Sequence, residues 1–191
     1  MKTIYLDGEI GPGELSAKWL RSQLAAAGGA DVELRLHSTG GSVIEAFSMI
    51  DELKAYKGRV RALVSSMALS AASLVMCAAD EISMTQTSYV MAHGPHIETG
   101  GGTNAERQML SSVEEKMVQL YVESTRQPRA TIARLMRNEK FLDANEALKY
   151  GFCDRVVNGV TSIAANANSA LARSEERRVG KEGRFRGAPD D

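Results

Sequence analysis

Residues 32–64 read VELRLHSTGGSVIEAFSMIDELKAYKGRVRALV and contain a strand, a helix and a second strand in succession. Alternating apolar residues predict a strand over Val32–Leu36, and apolar residues at helical spacing predict a helix over Val43–Tyr56. A second strand is predicted over Arg59–Val64, and HSTGG between the first strand and the helix predicts a loop. A helix that crosses between two strands indicates a parallel pair with the helix on one face.

The same alternation continues on both sides of this unit. Further strands are predicted at residues 3–6, 81–84, 88–92 and 152–157, and further helices from Ser16, after Ser70, over Asn104–Arg126, after Pro128 and over Ala144–Tyr150. We therefore expect an α/β fold with a mostly parallel sheet, built as one domain over residues 1–172.

The helix predicted over Asn104–Arg126 is unusually long. At 1.5 Å per residue it would extend on the order of 30 Å, about the width of a small domain. Its apolar stripe consists of Met109, Val113, Met117, Leu120 and Tyr121. Two interpretations stay open: an ordinary core helix, or an element that buries a methionine-rich face on another subunit.

Composition excludes several classes of protein. The 191 residues are 43% hydrophobic with a formal net charge of −1, which argues against a protein that coats nucleic acid or an anionic membrane. We expect no transmembrane span and no signal peptide. Cys77 and Cys153 lie far apart without a CxxC pair, so we expect neither a disulfide framework nor a cysteine zinc site, but a cytoplasmic protein.

The last nineteen residues, 173–191, differ from the rest of the chain. Eleven of them are charged and apolar periodicity stops, which predicts a disordered tail. The stretch RSEERRVGKE also resembles the in-frame translation of a common sequencing adapter. We therefore expect this segment to be non-native.

Ser70 is the first candidate for chemistry. It lies in MALSAAS at the start of an apolar helix, where small neighbours leave space around its hydroxyl. A serine at this position is commonly an N-cap, but a helix start also stabilises the negative charge that a nucleophile generates. GxSxG is absent, which argues against an α/β-hydrolase.

Other candidates are His93 and the glycines at the end of HSTGG. His93 ends an apolar strand, where ligands bind in open α/β folds, whereas His37 precedes the glycine turn and is interpreted as structural. Gly94-Pro95 between His93 and His96 prevents the helical i, i+3 geometry of a metal pair, so we expect no metal. The Gly40-Gly41 turn could present backbone N–H groups to an anionic group, but without GxGxxG or a Walker lysine we expect no nucleotide cofactor.

An acidic cluster precedes the helix predicted at Ala144–Tyr150. Asp143 has the position of an N-cap, and Glu146 three residues later is typical of a capping box. Glu139, Asp143 and Glu146 together are typical of the charge cluster at a helix N-terminus.

Four motifs follow one another in order: Ser38-Thr39-Gly40-Gly41, Ala68-Leu69-Ser70-Ala71-Ala72, Met91-Ala92-His93-Gly94-Pro95, and the segment from Glu139 to Ala147. With this order, the stretch from Val32 to Val157 resembles the proteolytic subunit of the Clp protease. In particular, it is similar to the shorter Clp-type proteases of phages and prophages, which process head proteins. The N-terminal IYLDGEIGPG resembles the opening of those phage-type members.

The resemblance implies a serine endopeptidase on a crotonase-like spiral of β and α units, with the long helix as a protruding handle that builds a homo-oligomeric ring. It implies Ser70 as nucleophile, His93 as general base and Glu139 as the acid, with Asp143 as the fallback acid. It further implies an oxyanion hole from the N–H groups of Gly41 and Ala71. The polypeptide substrate would bind along Gly40 and Gly41.

The chain departs from the family pattern at three positions. Glu139 replaces the aspartate of the housekeeping enzymes, and Thr39 and Leu69 replace a proline and an alanine. We also expect the N-terminal segment of the housekeeping enzymes, and with it an unfoldase ATPase partner, to be absent, which favours processing of a phage capsid or scaffold protein. The alternatives are a housekeeping ATP-dependent Clp subunit, a crotonase-type acyl-CoA enzyme, which shares the fold, and an inactive structural ring.

Overall fold

The computed structural model describes residues 1–13, 15–95 and 103–159. Strands and helices alternate along them, and each helix begins close to where the sequence pattern predicts it. The elements are β1 (Lys2–Ile10), α1 (Ala17–Ala27), β2 (Val32–Gly41), α2 (Val43–Ala55), β3 (Val60–Leu69), α3 (Ala71–Met76), β4 (Glu81–Thr85), β5 (Tyr89–Met91), α4 (Asn104–Thr125), α5 (Arg129–Arg137), β6 (Leu142–Asp143), α6 (Ala144–Lys149) and β7 (Arg155–Val157).

The strands form one sheet in the order β1-β2-β3-β4-β7, and every neighbouring pair on this path is parallel. β5 pairs in parallel with the last part of β3, and the two-residue β6 pairs antiparallel with β5. This arrangement confirms the predicted α/β class with a mostly parallel sheet. Parallel strands gather their carboxyl ends at one edge, where open α/β folds bind ligands.

The glycine segment at the end of β2 is not the loop that the sequence predicts. The strand continues through it, because Gly40 and Gly41 pair with Glu9 and Ile10 of β1 after a register shift. The two glycines adopt φ of 97° and 133°, which a residue with a Cβ rarely adopts. A pattern of alternating apolar residues cannot detect a strand that ends in such glycines.

β3 also runs further than predicted, to Leu69. Its first half pairs with β4 through Arg61–Val64, and its last residues, Met67–Leu69, pair with β5. These small and apolar residues form a strand because they have a second partner on the same side of the sheet. The strand therefore ends one residue before Ser70.

The apolar spacing within α2 predicts an inward face of Ile44, Phe47, Met49, Ile50 and Leu53. Met49, Ile50 and Leu53 are buried, together with Ala46, which completes an i, i+3, i+4, i+7 stripe. Ile44 is 49% exposed, because it lies off this stripe in the first turn.

α4 divides into two parts. Val113, Met117 and Tyr121 are buried in the core as the predicted stripe requires, but Met109 near the start is 58% exposed. A capping box closes the N-terminus, where the Thr103 hydroxyl accepts from the Glu106 N–H and the Glu106 carboxylate accepts from the Thr103 N–H. The second half is thus a core helix, while the oligomerisation role of the first half stays a prediction.

Several sequence predictions lie outside the described residues. They concern His96, most of the segment before α4, the end of the domain expected at residue 172, and the tail at 173–191. Among the described residues, no helix is long and apolar enough to cross a membrane, and no three His, Cys, Asp or Glu side chains gather as a metal site.

Candidate active site

Ser70 forms the turn between β3 and α3. Its backbone has φ 53° and ψ −126°, a conformation that costs a residue with a side chain about 1–3 kcal/mol. The Ser70 N–H donates to the Met91 carbonyl at 2.8 Å. Ser70 occupies the N-cap position of α3, but its side chain makes no capping hydrogen bond to the helix. The hydroxyl is therefore available to another group.

That group is His93. Because β5 pairs with β3 at Met67–Leu69, the chain leaving β5 at Met91 passes beside Ser70. The Nε2 atom of His93 lies 2.7 Å from the Ser70 Oγ, within hydrogen-bond distance. For Nε2 to accept the hydroxyl hydrogen, the neutral imidazole must carry its own proton on Nδ1.

Glu139 faces this other nitrogen. It follows the end of α5 in a left-handed conformation with φ 46°, and its Oε1 lies 3.8 Å from the His93 Nδ1. The separation is longer than a hydrogen bond but short enough for charge attraction. The Glu139 side chain is 67% exposed, and a shift of about 1 Å would bring its Oε1 within hydrogen-bond distance of His93 Nδ1. Catalytic hydrogen bonds commonly tighten in this way when substrate binds.

Asp143 has a different position. Its carboxylate accepts from the Glu146 N–H at 2.8 Å and caps α6, as the sequence predicts. The Glu146 carboxylate does not complete a capping box, because it contacts the Lys140 ammonium instead. The Asp143 side chain thus satisfies the start of a helix, and Glu139 is the acid that faces His93.

The end of β2, at Gly40, packs closely against the Ser70 turn. A Cβ built on Gly40 would lie 2.5 Å from the Leu69 carbonyl oxygen, 2.7 Å from the Ser70 Cβ and 2.9 Å from the Ala71 nitrogen. Gly40 is buried there and Gly41, the next residue, is exposed. Only a residue without a side chain allows the two segments to approach this closely.

Two buried hydroxyls beneath Ser70 were not predicted as part of the site. The Ser73 Oγ lies 2.7 Å from the Ser70 carbonyl oxygen, 3.1 Å from the Met91 carbonyl oxygen and 2.7 Å from the Tyr121 hydroxyl. The interpretation of Tyr121 as part of an apolar stripe is correct for its ring but omits its hydroxyl. Sequence spacing gives no signal for a contact between residues 48 positions apart.

A cleft of about 540 Å³ opens beside His93 and Glu139. Its volume is in the range of ordinary ligand sites. The lining residues are His93, Gly94, Pro95, Glu114, Met136, Arg137 and Glu139.

His37 lies elsewhere. Its Nε2 is 4.0 Å from an Asp7 carboxylate oxygen, and both side chains are more than half exposed on β2 and β1. It takes no part in the Ser70 arrangement.

The arrangement has the parts of an activated nucleophile. A serine hydroxyl touches an imidazole nitrogen, and a carboxylate faces the other nitrogen of that imidazole. These groups suit acyl transfer by a serine nucleophile.

Comparison with known proteins agrees with this chemistry. Residues 2–160 match the family model described as Clp protease. The chain is 31% identical over 137 residues to ATP-dependent Clp protease proteolytic subunit 1 of Chlamydia pneumoniae, which covers 68% of this chain and 71% of that protein. It is 26% identical over 176 residues to ATP-dependent Clp protease proteolytic subunit 3 of Rhodococcus jostii, covering 88% of this chain and 87% of that protein.

The contact between Gly40 and the Ser70 turn yields a prediction. Gly40→Ala should slow covalent labelling of the protein by a fluorophosphonate at least about tenfold, because the added methyl group must displace Ser70 or Ala71. The labelling rate is measured by intact mass.

The matched control is Gly8→Ala, since Gly8 also has a positive φ but open space around its Cβ position. It should cost on the order of 1 kcal/mol of stability and leave the labelling rate unchanged. Equal labelling rates in the two variants would contradict the close approach.

Proposed function

Since this chain belongs to the Clp protease family and is a serine peptidase, we propose that Ser70, His93 and Glu139 form its catalytic triad. The observation that carries the proposal is the 2.7 Å contact between the Ser70 Oγ and the His93 Nε2. Ser70 Oγ attacks the carbonyl carbon of the scissile peptide bond while His93 Nε2 removes the hydroxyl proton. His93 then returns that proton to the departing amine.

The second half of the cycle uses the same residues. The acyl group remains on Ser70 Oγ as an ester, and His93 removes a proton from the water that attacks it. As the bond between the acyl carbon and Ser70 Oγ breaks, His93 returns that proton to Oγ and restores the hydroxyl. Glu139 stabilises the imidazolium formed in each half and keeps the ring proton on Nδ1. The net reaction consumes one water and releases two peptide chains.

The oxyanion of each tetrahedral intermediate needs hydrogen-bond donors. We assign this role to the backbone N–H groups of Gly41 and Ala71. The close approach of Gly40 to Ala71, whose nitrogen a Cβ on Gly40 would meet at 2.9 Å, supports the pair because it brings the end of β2 to the first residue of α3. The N–H groups at the start of a helix carry partial positive charge, and losing one such donor typically slows a reaction about 10²–10³-fold. Gly40 and Gly41 would also align the extended substrate.

The triad predicts a specific labelling pattern. A fluorophosphonate should label the wild-type protein, Ser70→Ala should abolish labelling, and His93→Ala should slow it at least about a hundredfold, because the base is lost. Labelling is followed by gel fluorescence and located by peptide mass mapping.

The rival functions predict other results. A crotonase-type acyl-CoA enzyme or an inactive ring would leave the folded wild type unlabelled. Labelling that persists in Ser70→Ala would move the nucleophile to another residue.

The acid is tested by two matched changes from carboxylate to amide. Glu139→Gln should slow labelling by about 10²–10⁴-fold, because a neutral amide neither stabilises the imidazolium nor holds its tautomer. Asp143→Asn should leave the rate unchanged, since asparagine caps a helix as well as aspartate does. The opposite ranking of the two variants would assign the acid role to Asp143.

Members of the family form oligomeric rings and act on polypeptides. We propose that this chain does so as a phage-type protease whose substrate is a capsid or scaffold protein. The resemblance of the opening IYLDGEIGPG to the phage-type members supports that choice over ATP-dependent housekeeping proteolysis. The exposed start of α4, with Met109, is a suitable surface for contacts within a ring.

Genomic flanks and co-expression test the substrate. Genes for portal and capsid proteins should flank this one, and co-expression with that capsid protein should yield a truncated product that Ser70→Ala does not produce. Flanking genes for an ATPase, with proteolysis only when that ATPase and ATP are added, would favour the housekeeping alternative.

A further inference from the structure

We propose that Ser73 and Tyr121 are positioning residues that hold the nucleophile turn and the histidine strand at their reactive separation. The proposal rests on the proposed triad and concerns residues that do not touch substrate. It follows from a buried network of hydroxyls that reaches from α4 to the backbone on both sides of the reacting pair.

The network is centred on the Ser73 hydroxyl. Ser73 is fully buried in α3, and its Oγ contacts the carbonyl oxygens of Ser70 at 2.7 Å and Met91 at 3.1 Å. The Met91 carbonyl also accepts from the Ser70 N–H at 2.8 Å. Met91 ends β5 two residues before His93, so these bonds join the backbone of the nucleophile to the strand that carries the base.

The number of hydrogens fixes the direction of the network. A serine hydroxyl has one hydrogen and two lone pairs, and both carbonyl oxygens can only accept. If the Ser73 hydroxyl donated its single hydrogen to the Tyr121 hydroxyl, it could donate to neither the Ser70 nor the Met91 carbonyl. The Tyr121 hydroxyl therefore donates to the Ser73 Oγ, and the Ser73 hydrogen goes to the carbonyls, with the shorter distance to Ser70.

The surroundings of Tyr121 keep its hydroxyl as the donor in the hydrogen bond to the Ser73 Oγ. Its side chain is completely buried, and burial raises the pKa of the phenol far above its usual range, so the hydroxyl keeps its hydrogen at physiological pH. Its ring packs against Phe152 with centroids 5.7 Å apart, which fixes the hydroxyl in space.

The network stabilises the backbone of Ser70, which is strained. A residue at φ 53° and ψ −126° relaxes unless its surroundings hold it. The Ser70 carbonyl is held by the Ser73 hydroxyl and also by the Ser73 N–H at 3.0 Å. Loss of the hydroxyl bond would let the Ser70 Oγ move relative to His93, and misplacement of about 1 Å can cost a hundredfold in rate.

The test measures fluorophosphonate labelling of the full-length protein at several probe concentrations, which separates the maximal rate from the half-saturating concentration. Tyr121→Phe and Ser73→Ala should each lower the maximal rate about tenfold or more, with the half-saturating concentration unchanged. Loss of folded protein alone would lower the fraction of chains labelled and leave the rate constant as it is.

Ser88→Ala is the matched control. The Ser88 hydroxyl is also fully buried and donates to the carbonyl three residues earlier, that of Thr85, at 2.7 Å. Its removal breaks the same kind of bond at the far end of β5. It should destabilise the protein less than Ser73→Ala does, because it does not leave the Tyr121 hydroxyl without its partner, and it should leave the maximal labelling rate at the wild-type value.

The double variant Ser73→Ala/Tyr121→Phe separates stability from rate. Ser73→Ala leaves the buried Tyr121 hydroxyl without its partner, and Tyr121→Phe then removes that hydroxyl, so the double variant should melt at a higher temperature than Ser73→Ala. Its labelling rate should equal that of Ser73→Ala, because Tyr121 acts through Ser73.

Three results decide between the claims. If the wild type labels at Ser70 and the Ser73 and Tyr121 variants label at the wild-type rate, the positioning role is wrong and the triad stands. Independent, multiplying losses in the double variant would also overturn the proposed chain from Tyr121 through Ser73. An unlabelled wild type overturns the triad and the positioning role together.

Discussion

The site depends on the pairing of the last residues of β3 with two different neighbours. On one side Ser38 of β2 pairs with Ala68, and on the other Met67–Leu69 pair with β5. The first pairing brings the glycines of β2 to the Ser70 turn, and the second brings His93 to the Ser70 hydroxyl. Because all three strands are parallel, their carboxyl ends bring the proposed nucleophile, base and oxyanion donors to one edge of the sheet.

This arrangement places several residues in energetically unfavourable backbone conformations. Ser70 adopts a strained backbone, Gly40 and Gly41 have positive φ, and Glu139 has a left-handed conformation outside a helix. Strain of this kind persists only where surrounding contacts impose it. Here those contacts are the two strand pairings, the bond from the Ser70 N–H to the Met91 carbonyl, and the buried hydroxyls of Ser73 and Tyr121.

The sequence predicts the fold well because hydrophobic periodicity carries the information. VELRL and RVRALV form the strands they predict, and the pattern at Ala144 begins a helix whose N-cap is Asp143. Where the periodicity is lost, prediction fails: the end of β2 is glycine, the end of β3 depends on β5, and β6 is only two residues long. Those elements are stabilised by distant partners, which a local pattern does not contain.

The candidate site shows the same division. Ser70, His93 and Glu139 were selected by the order of short motifs, and the structure brings all three together. Ser73 and Tyr121 carry no motif, because their role arises from a contact between α3 and α4 that only the folded chain creates. Local spacing predicts the Asp143 cap because that cap joins residues close together in the sequence. It misses the pair of Ser73 and Tyr121 because they lie far apart in the sequence.

The central claim is that strand pairing places Ser70 as a nucleophile between His93 and the end of β2. A crystal structure of the protein after reaction with a fluorophosphonate tests it most directly. The account predicts phosphorus bonded to the Ser70 Oγ, with one phosphoryl oxygen about 2.7–3.1 Å from the Gly41 and Ala71 nitrogens. An adduct on another residue, or a phosphoryl oxygen pointing away from both nitrogens, would contradict it.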